Sequence, residues 1–420
     1  MKNDSEVRKP REKMEKLGEY CKVISGFAFK SQDLSEGTDI PVIKIGNISN
    51  GKGVILDDST QYVSKDFLSI DNKYHVTKGD ILISLTGSHI NQPNSMVGRS
   101  CRNFSDTNFL LNQRAGKVIP NKKADKDYLY YLLNTESFKY SICNRAYGAA
   151  NQANVSPSDI EDIKWDFPSL PTQKKIGSIL SAYDNLIENN NKRIKILEQM
   201  AENLYKEWFV RFRFPGHETS PIENGIPKGW KISILSEFGR IETGKTPSME
   251  IKENYGGDIL FIKTPDMHGK IFILDSEEKL SEAGHKTQPK KLLPPNSIMV
   301  SCIGTAGVVA INSKPAHTNQ QINSIILNES HHLEWLYFTC VSLKETIELY
   351  GATGATMTNL SKGKFEKLKV LQPSLDLIKM FHNKTSPLFT EIKNLSILTT
   401  NLIKQRDLLL PRLMSGKFVV

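Results

Sequence analysis

One long segment of this chain is written twice. Pro168-Ser169-Leu170 recurs as Pro373-Ser374-Leu375, 205 residues later, and that spacing persists along both segments. In the first segment Ile176, Leu180, Tyr183, Ile187, Asn190, Ile194, Leu197, Ala201 and Leu204 alternate by four and three. In the second, Phe381, Thr385, Leu388, Ile392, Leu395, Thr399, Leu402, Arg406 and Leu409 keep the same register. A sustained alternation of this kind is the seam of a coiled coil, and so long a seam calls for a partner helix. Two long helices, 168–212 and 373–420, are therefore predicted, each packing on the other. Pro387 predicts a kink in the second helix or a late start to its regular part. Asn190, polar within the seam, predicts a contact that fixes register.

The segments before the two helices correspond more loosely. Leu17-Gly18-Glu19-Tyr20 answers Leu235-Ser236-Glu237-Phe238, Ile43-Lys44 answers Ile262-Lys263, and GDILISLTG (79–87) answers NSIMVSCIG (296–304). Asn112-Gln113 answers Asn319-Gln320, and Tyr147-Gly148-Ala149 answers Tyr350-Gly351-Ala352. The order is domain, helix, domain, helix. The expected boundaries are a first domain at 1–167 with a charged tail at 1–14, a central helix at 168–212, a Pro- and Gly-rich junction at 213–229, a second domain at 230–372 and a C-terminal helix at 373–420. The expected fold class is α/β in the mixed, α+β sense. Two globular domains of strands and helices are separated by two long antiparallel coiled-coil helices in a pseudo-twofold repeat.

A length of 420 residues suits such an organisation. The formal net charge of +9 suits a polyanionic partner without specifying one. No apolar run is long enough to span a bilayer and the N-terminal stretch is charged throughout, so no membrane is expected and the cytoplasm is the expected location. Five cysteines, Cys21, Cys101, Cys143, Cys302 and Cys340, stand far apart without a C-x-x-C pair, as reduced structural thiols do.

Gly239, Gly244, Lys245 and Thr246 match the phosphate-loop pattern G-x-x-x-x-G-K-[ST]. That loop requires a buried strand before it and a helix directly after it, whose N-terminus holds the phosphates. Here Pro247 follows Thr246 at once, SMEIKENYGGD has no helical period, LSEFGR is not a convincing strand, and the first copy retains Gly26 alone in VISGFAFKS. The match is read as chance. Gly26 or Gly244 then makes a turn from which Lys30 or Lys245 reaches a DNA phosphate or base edge, or simply water. G-x-S-x-G, H-E-x-x-H, paired-cysteine zinc patterns and [DN]-P-P-[YF] are all absent, and His331-His332 are read as a loop or helix start. A long repeated scaffold without such a motif points to recognition.

The residues QKKIGSILSAYDNLIENNNKRIKILEQMAENLYKEWFVRFRFPGHE, IPKGW, YGGDILFIKTPDMHG and RDLLLPRLMSGKF carry a resemblance. Over essentially its whole length the chain resembles the specificity subunit of Type I restriction-modification enzymes. The resemblance implies two target-recognition domains, each reading part of a bipartite double-stranded DNA target, with two conserved helices as spacer. It also implies partners: modification subunits that methylate adenine using S-adenosylmethionine, and restriction subunits that use ATP and Mg²⁺. On that reading the chain has no catalytic residue, metal or cofactor of its own. The repeat adds that two copies of the modification subunit bind, and the unlike domain sequences add that the two half-sites differ. The alternatives are a component of a methyltransferase-only complex, or a nucleotide-binding enzyme using the 239–246 loop.

Candidate contacts are loop residues with base-reading or phosphate-binding chemistry near corresponding positions of both copies. In the first they are Lys30, Lys44, Asn47, Ser88, Gln113, Arg114, Arg145 and Tyr147. In the second they are Lys245, Thr246, Lys263, Asp266, Thr305, Asn319, Gln320 and Gln321. Asn and Gln suit adenine, Arg and Lys suit guanine or phosphate, and Asp accepts from cytosine. Asn112 and Asn319 recur, which equally suits a shared structural turn. The aromatic residues Tyr205, Trp208, Phe209 and Phe212 at the helix exit are read as core.

Overall fold

The computed structural model describes residues 14–37, 39–51, 53–88, 97–149, 152–351, 359–418 and 420. The tail at 1–13 and Ala352 lie outside them. The chain divides into two compact units, one of Met1–Leu186 with Leu402–Val420 and one of Ile187–Asn401. Each unit thus holds one globular segment and a length of both long helices.

In the first unit, Ser100–Arg102, Ile81–Ser84, Ala115–Pro120 and Cys21–Ser25 form an antiparallel sheet in that order. Ile81–Ser84 is buried at every residue, as a continuous apolar run covered on both faces should be. A second sheet runs Gln61–Val63, Ile40–Ile43, Phe109–Leu111, His75–Val76, with Ile40–Ile43 parallel to Phe109–Leu111. Helix Lys126–Asn134 starts on Asp125, whose carboxylate accepts from the Tyr128 amide, and buries Tyr128, Leu129 and Leu132 against Ile81, Ile83 and Val118. Ile176 and Leu180 of the central helix, and Leu413 and Met414 of the C-terminal helix, complete this core.

The second unit repeats the plan. Gly239–Thr243, Ile322–Leu327, Ile298–Ser301, Val309–Asn312 and Phe272–Ile273 form one sheet, and Glu278–Leu280, Tyr255–Ile262 and Ala316–Thr318 another. The correspondence is residue by residue. Val42 pairs in parallel with Leu110 and antiparallel with Gln61; Phe261 pairs in parallel with His317 and antiparallel with Glu278.

The long helices span Leu170–Tyr205 and Leu375–Met414. In the second unit Arg193 bonds Glu391 at 2.6 Å, and farther along the central helix Phe209 meets Phe381 with ring centroids 5.0 Å apart, so the helices run antiparallel. Of the seam residues, Ile176, Leu180, Asn190, Phe381, Ile392 and Leu395 are buried. Tyr183, Ile187, Ile194, Leu197, Leu204, Leu388, Leu402 and Leu409 are half-buried. Asn190 departs from the expectation of a register-fixing contact, because its buried Nδ2 has no hydrogen-bond partner. Pro387 does not delay its helix, which begins at Leu375; Pro387 and Asn383 are both exposed, where water can satisfy the carbonyl that the ring leaves without a donor.

The central helix does not run to residue 212 as a regular α-helix. It widens into a π turn at Lys206–Val210, with the Arg211 amide bonded to the Lys206 carbonyl, and Phe212 takes a left-handed φ of 58°. The wider turn lets the adjacent Trp208 and Phe209 both enter the core, where Tyr205, Phe214, Trp230 and Phe381 join them. Phe212 packs edge-on against Trp230 at 5.3 Å. All five cysteines are free and buried, and burial pushes the Cys21 and Cys101 thiols up to about 12. Among the described residues no helix is long and apolar enough to cross a membrane.

Candidate nucleic-acid interface

Each unit builds the same junction where three strand ends meet. In the first, the Asn112 amide donates to the Ile43 carbonyl, and the Phe27 amide donates to Leu111. In the second, the Asn319 amide donates to Ile262, and the Lys245 amide donates to Thr318. Gly26 and Gly244 make the close approach possible: a Cβ on Gly26 would lie 2.2 Å from the Leu111 carbonyl oxygen, and one on Gly244 would lie 2.1 Å from that of Asn319. Directly after each Asn the chain turns, with the Arg114 amide on Asn112 Oδ1 and the Gln321 amide on Asn319 Oδ1. The recurrent asparagines are therefore turn-holding side chains, 9% and 8% exposed, rather than free readers.

A second repeated device presents a lysine. The Lys44 amide donates to Asn47 Oδ1, and the Lys263 amide donates to Asp266 Oδ2, closing one tight turn after each strand. Asn47 is also bonded to the Ile55 carbonyl and is 5% exposed, so it supports the turn and presents no edge to a ligand. Asp266 is occupied twice, its other oxygen accepting from the Glu277 amide. The lysine heads remain half-exposed and take different partners. Lys44 Nζ donates to Gln61 Oε1, with the Arg114 guanidinium nearby; burial first, and Arg114 second, lower the Lys44 pKa. Lys263 Nζ lies 2.5 Å from Glu278 Oε1 and 5.6 Å from the Phe261 ring centroid.

Around these devices the first unit gathers Lys44, Gln113 and Arg114; both Gln113 and Arg114 are exposed. The second gathers Lys245, Thr246, Lys263, Gln320 and Gln321. Thr246 Oγ1 donates to Gln320 Oε1 at 2.5 Å, and Gln321 Oε1 accepts from Asn319. Exposed Thr305 belongs to the neighbouring loop, where the Cys302 amide bonds the Gln321 carbonyl. Tyr147, 61% exposed, belongs to a separate three-stranded sheet with Thr86–Gly87, and Arg145 donates to the Asp162 carbonyl. Ser88, beside that sheet, is 4% exposed and presents no free hydroxyl face. Lys30 is exposed, but it is not the counterpart of Lys245. The shared backbone bonds place Phe27 there, packed edge-on against Phe29 at 4.9 Å.

The phosphate-loop match fails structurally for a reason only partly expected. A strand is present, but it is Gly239–Thr243 itself, so the motif's first glycine lies inside a sheet. No helix follows Thr246; the next element is a short 3₁₀ turn at Lys252–Asn254. Gln61 and Glu278, which bond the two lysine heads, carry no local signal in the sequence. They lie on partner strands, and no local pattern links them to the turns they serve.

A duplicated mixed α/β chain with two long antiparallel helices and one polar junction per half defines the class of protein. The family model described as Type I restriction modification DNA specificity domain matches residues 11–199 and 227–379, and the chain belongs to that family. It is 32% identical to the Type I restriction enzyme HindI specificity subunit of Haemophilus influenzae, over 96% of this chain and 98% of that one. It is 26% identical to the MjaIX specificity subunit of Methanocaldococcus jannaschii, over 97% of this chain and 93% of that one. A crystal structure of the Type I restriction-modification S subunit from M. genitalium shares the fold. Its TM-score is 0.62 at 15% identity, covering 100% of this chain and 98% of that one.

Proposed function

We propose that this chain is the DNA-reading subunit of a Type I restriction-modification complex, with each half recognising one part of an asymmetric, bipartite duplex target. The observation that carries this reading is the polar junction built twice on one backbone plan: Lys44 and Gln113 answer Lys263 and Gln320, whereas Arg114 answers Gln321, Gln61 answers Glu278 and Phe27 answers Lys245. One framework carrying different donors and acceptors is suited to two different short sequences. Recognition is this chain's contribution, and catalysis belongs to its partners in the cytoplasm. Two modification subunits methylate adenine with S-adenosylmethionine, and restriction subunits use ATP and Mg²⁺. The repeat supports the pairing, because any surface that one long helix offers a partner has a counterpart on the other.

Methylome sequencing of a host with and without the chain tests the reading. A split adenine motif that disappears on deletion is expected; a methylome unchanged by deletion would overturn it.

A further inference from the structure

The two turn lysines occupy one position in the fold, yet they present different charge. Lys44 follows Ile43, whose carbonyl holds the Asn112 amide; Lys263 follows Ile262, whose carbonyl holds that of Asn319. Gln61 stands opposite Val42 across the first strand pair, and Glu278 stands opposite Phe261 across the second. The side chain that meets the lysine head thus comes from the same place in both units. In the first it is a neutral amide, and the residue two after the turn asparagine is the cation Arg114. In the second it is a carboxylate at 2.5 Å, and the residue two after the asparagine is the uncharged Gln321. The first junction therefore carries two positive charges and no negative one among these residues. At these same positions the second carries one of each, Lys263 and Glu278, which cancel; its further cation, Lys245, stands where the first unit has Phe27.

We propose that Gln61 and Glu278 are specificity-determining residues, setting how each half meets DNA. Gln61 leaves Lys44 and Arg114 free to engage acceptors, the phosphate oxygens or the O6 and N7 edge of guanine. Glu278 withholds Lys263 from phosphate and turns a carboxylate oxygen toward donors, the exocyclic amines of cytosine or adenine. A lysine held by a carboxylate releases no counterion when DNA arrives, so the difference registers in salt dependence. The inference rests on the DNA-reading function proposed above.

The test uses the full chain with its modification partners and a duplex carrying the methylated motif recovered from the host. Affinity is followed against salt for wild type, Gln61→Glu, Glu278→Gln and the double exchange. Gln61→Glu should flatten the slope of log K against log salt by about one, Glu278→Gln should steepen it by about one, and the double exchange should restore the wild-type slope. Single exchanges that leave the slope alone, or move it in one direction together, overturn the proposal. Lys263→Met provides a check independent of how the exchanged side chains pack. It should leave the slope unchanged in the wild-type background and flatten it in the Glu278→Gln background; an equal effect in both also overturns the proposal. Wild-type binding that ignores salt would instead count against the DNA-reading function itself.

Discussion

Arg406 of the C-terminal helix meets Asp184 of the central helix, Nη1 to Oδ1, at 2.6 Å. Asp184 is 7% exposed, and its second oxygen accepts from the Tyr131 hydroxyl at 2.6 Å, so one carboxylate ties both long helices to the helix Lys126–Asn134. Arg406 occupies a seam position where the earlier repeat has Ala201; an ion pair stands where an apolar contact would be usual. Removing one member of a buried pair strands the other. Asp184→Ala should destabilise the first unit by on the order of 3 kcal/mol in denaturant unfolding. Tyr131→Phe, which leaves the ion pair intact, should cost only about 1 kcal/mol.

His317 supplies a pH response. It is fully buried, its Nε2 lies 3.0 Å from His285 Nδ1, and burial first, then His285, lower its pKa from the ordinary 6.5 to about 4. The folded state thus holds the neutral ring while the unfolded chain takes up a proton. The contribution is complete above pH 6.5 and is lost as pH falls from 6.5 toward 4, by up to about 3 kcal/mol. NMR titration should show His317 unprotonated at pH 5.5, and denaturant unfolding should show stability falling through that window.

Gly26 and Gly244 are predicted to tolerate no side chain. A methyl group at either would collide with carbonyl oxygens near 2.2 Å, so strand ends must separate. Gly26→Ala and Gly244→Ala should each cost about 1–3 kcal/mol, measured by denaturation, and should weaken DNA binding at the affected half only.

Lys245 separates DNA contact from nucleotide binding. Calorimetry of the isolated chain should detect no saturable ATP binding, before or after Lys245→Ala. The same substitution should weaken DNA binding uniformly across sequences and flatten its salt slope by about one.

Arg114 and Gln320 should each govern one half of the target. Arg114→Ala should relax the methylated motif at one half-site by about 1–3 kcal/mol of discrimination per base, leaving the other half unchanged; Gln320→Ala should do the reverse. Methylome sequencing of each variant reads the outcome.

The long helices were legible because a 3/4 period survives without knowledge of any partner, and the seam residues Ile176 to Leu409 all turn inward. Their ends were less so: a π turn at Lys206–Val210 leaves no signature beyond the crowding of Trp208 and Phe209. The paired glycines and asparagines were visible, but their meaning was not, since a turn-holding and a base-reading Asn look alike in one dimension. Lys30 and Lys245 look equivalent in sequence because each follows a glycine nearby, whereas the backbone bonds match Phe27 to Lys245. Gln61 and Glu278 were invisible. The helices repeat at 205 residues but Ile43 and Ile262 stand 219 apart, and loops of unequal length erase the register on which a cross-strand partner depends.

The core of the first unit draws Leu413 and Met414 from the far end of the chain. A ribosome that has finished the opening 186 residues has still to make the side chains that close their interior, so the half synthesised earliest is completed last. A nonsense mutation near residue 402 would accordingly be felt at the opposite terminus, as an N-terminal reader with an open floor.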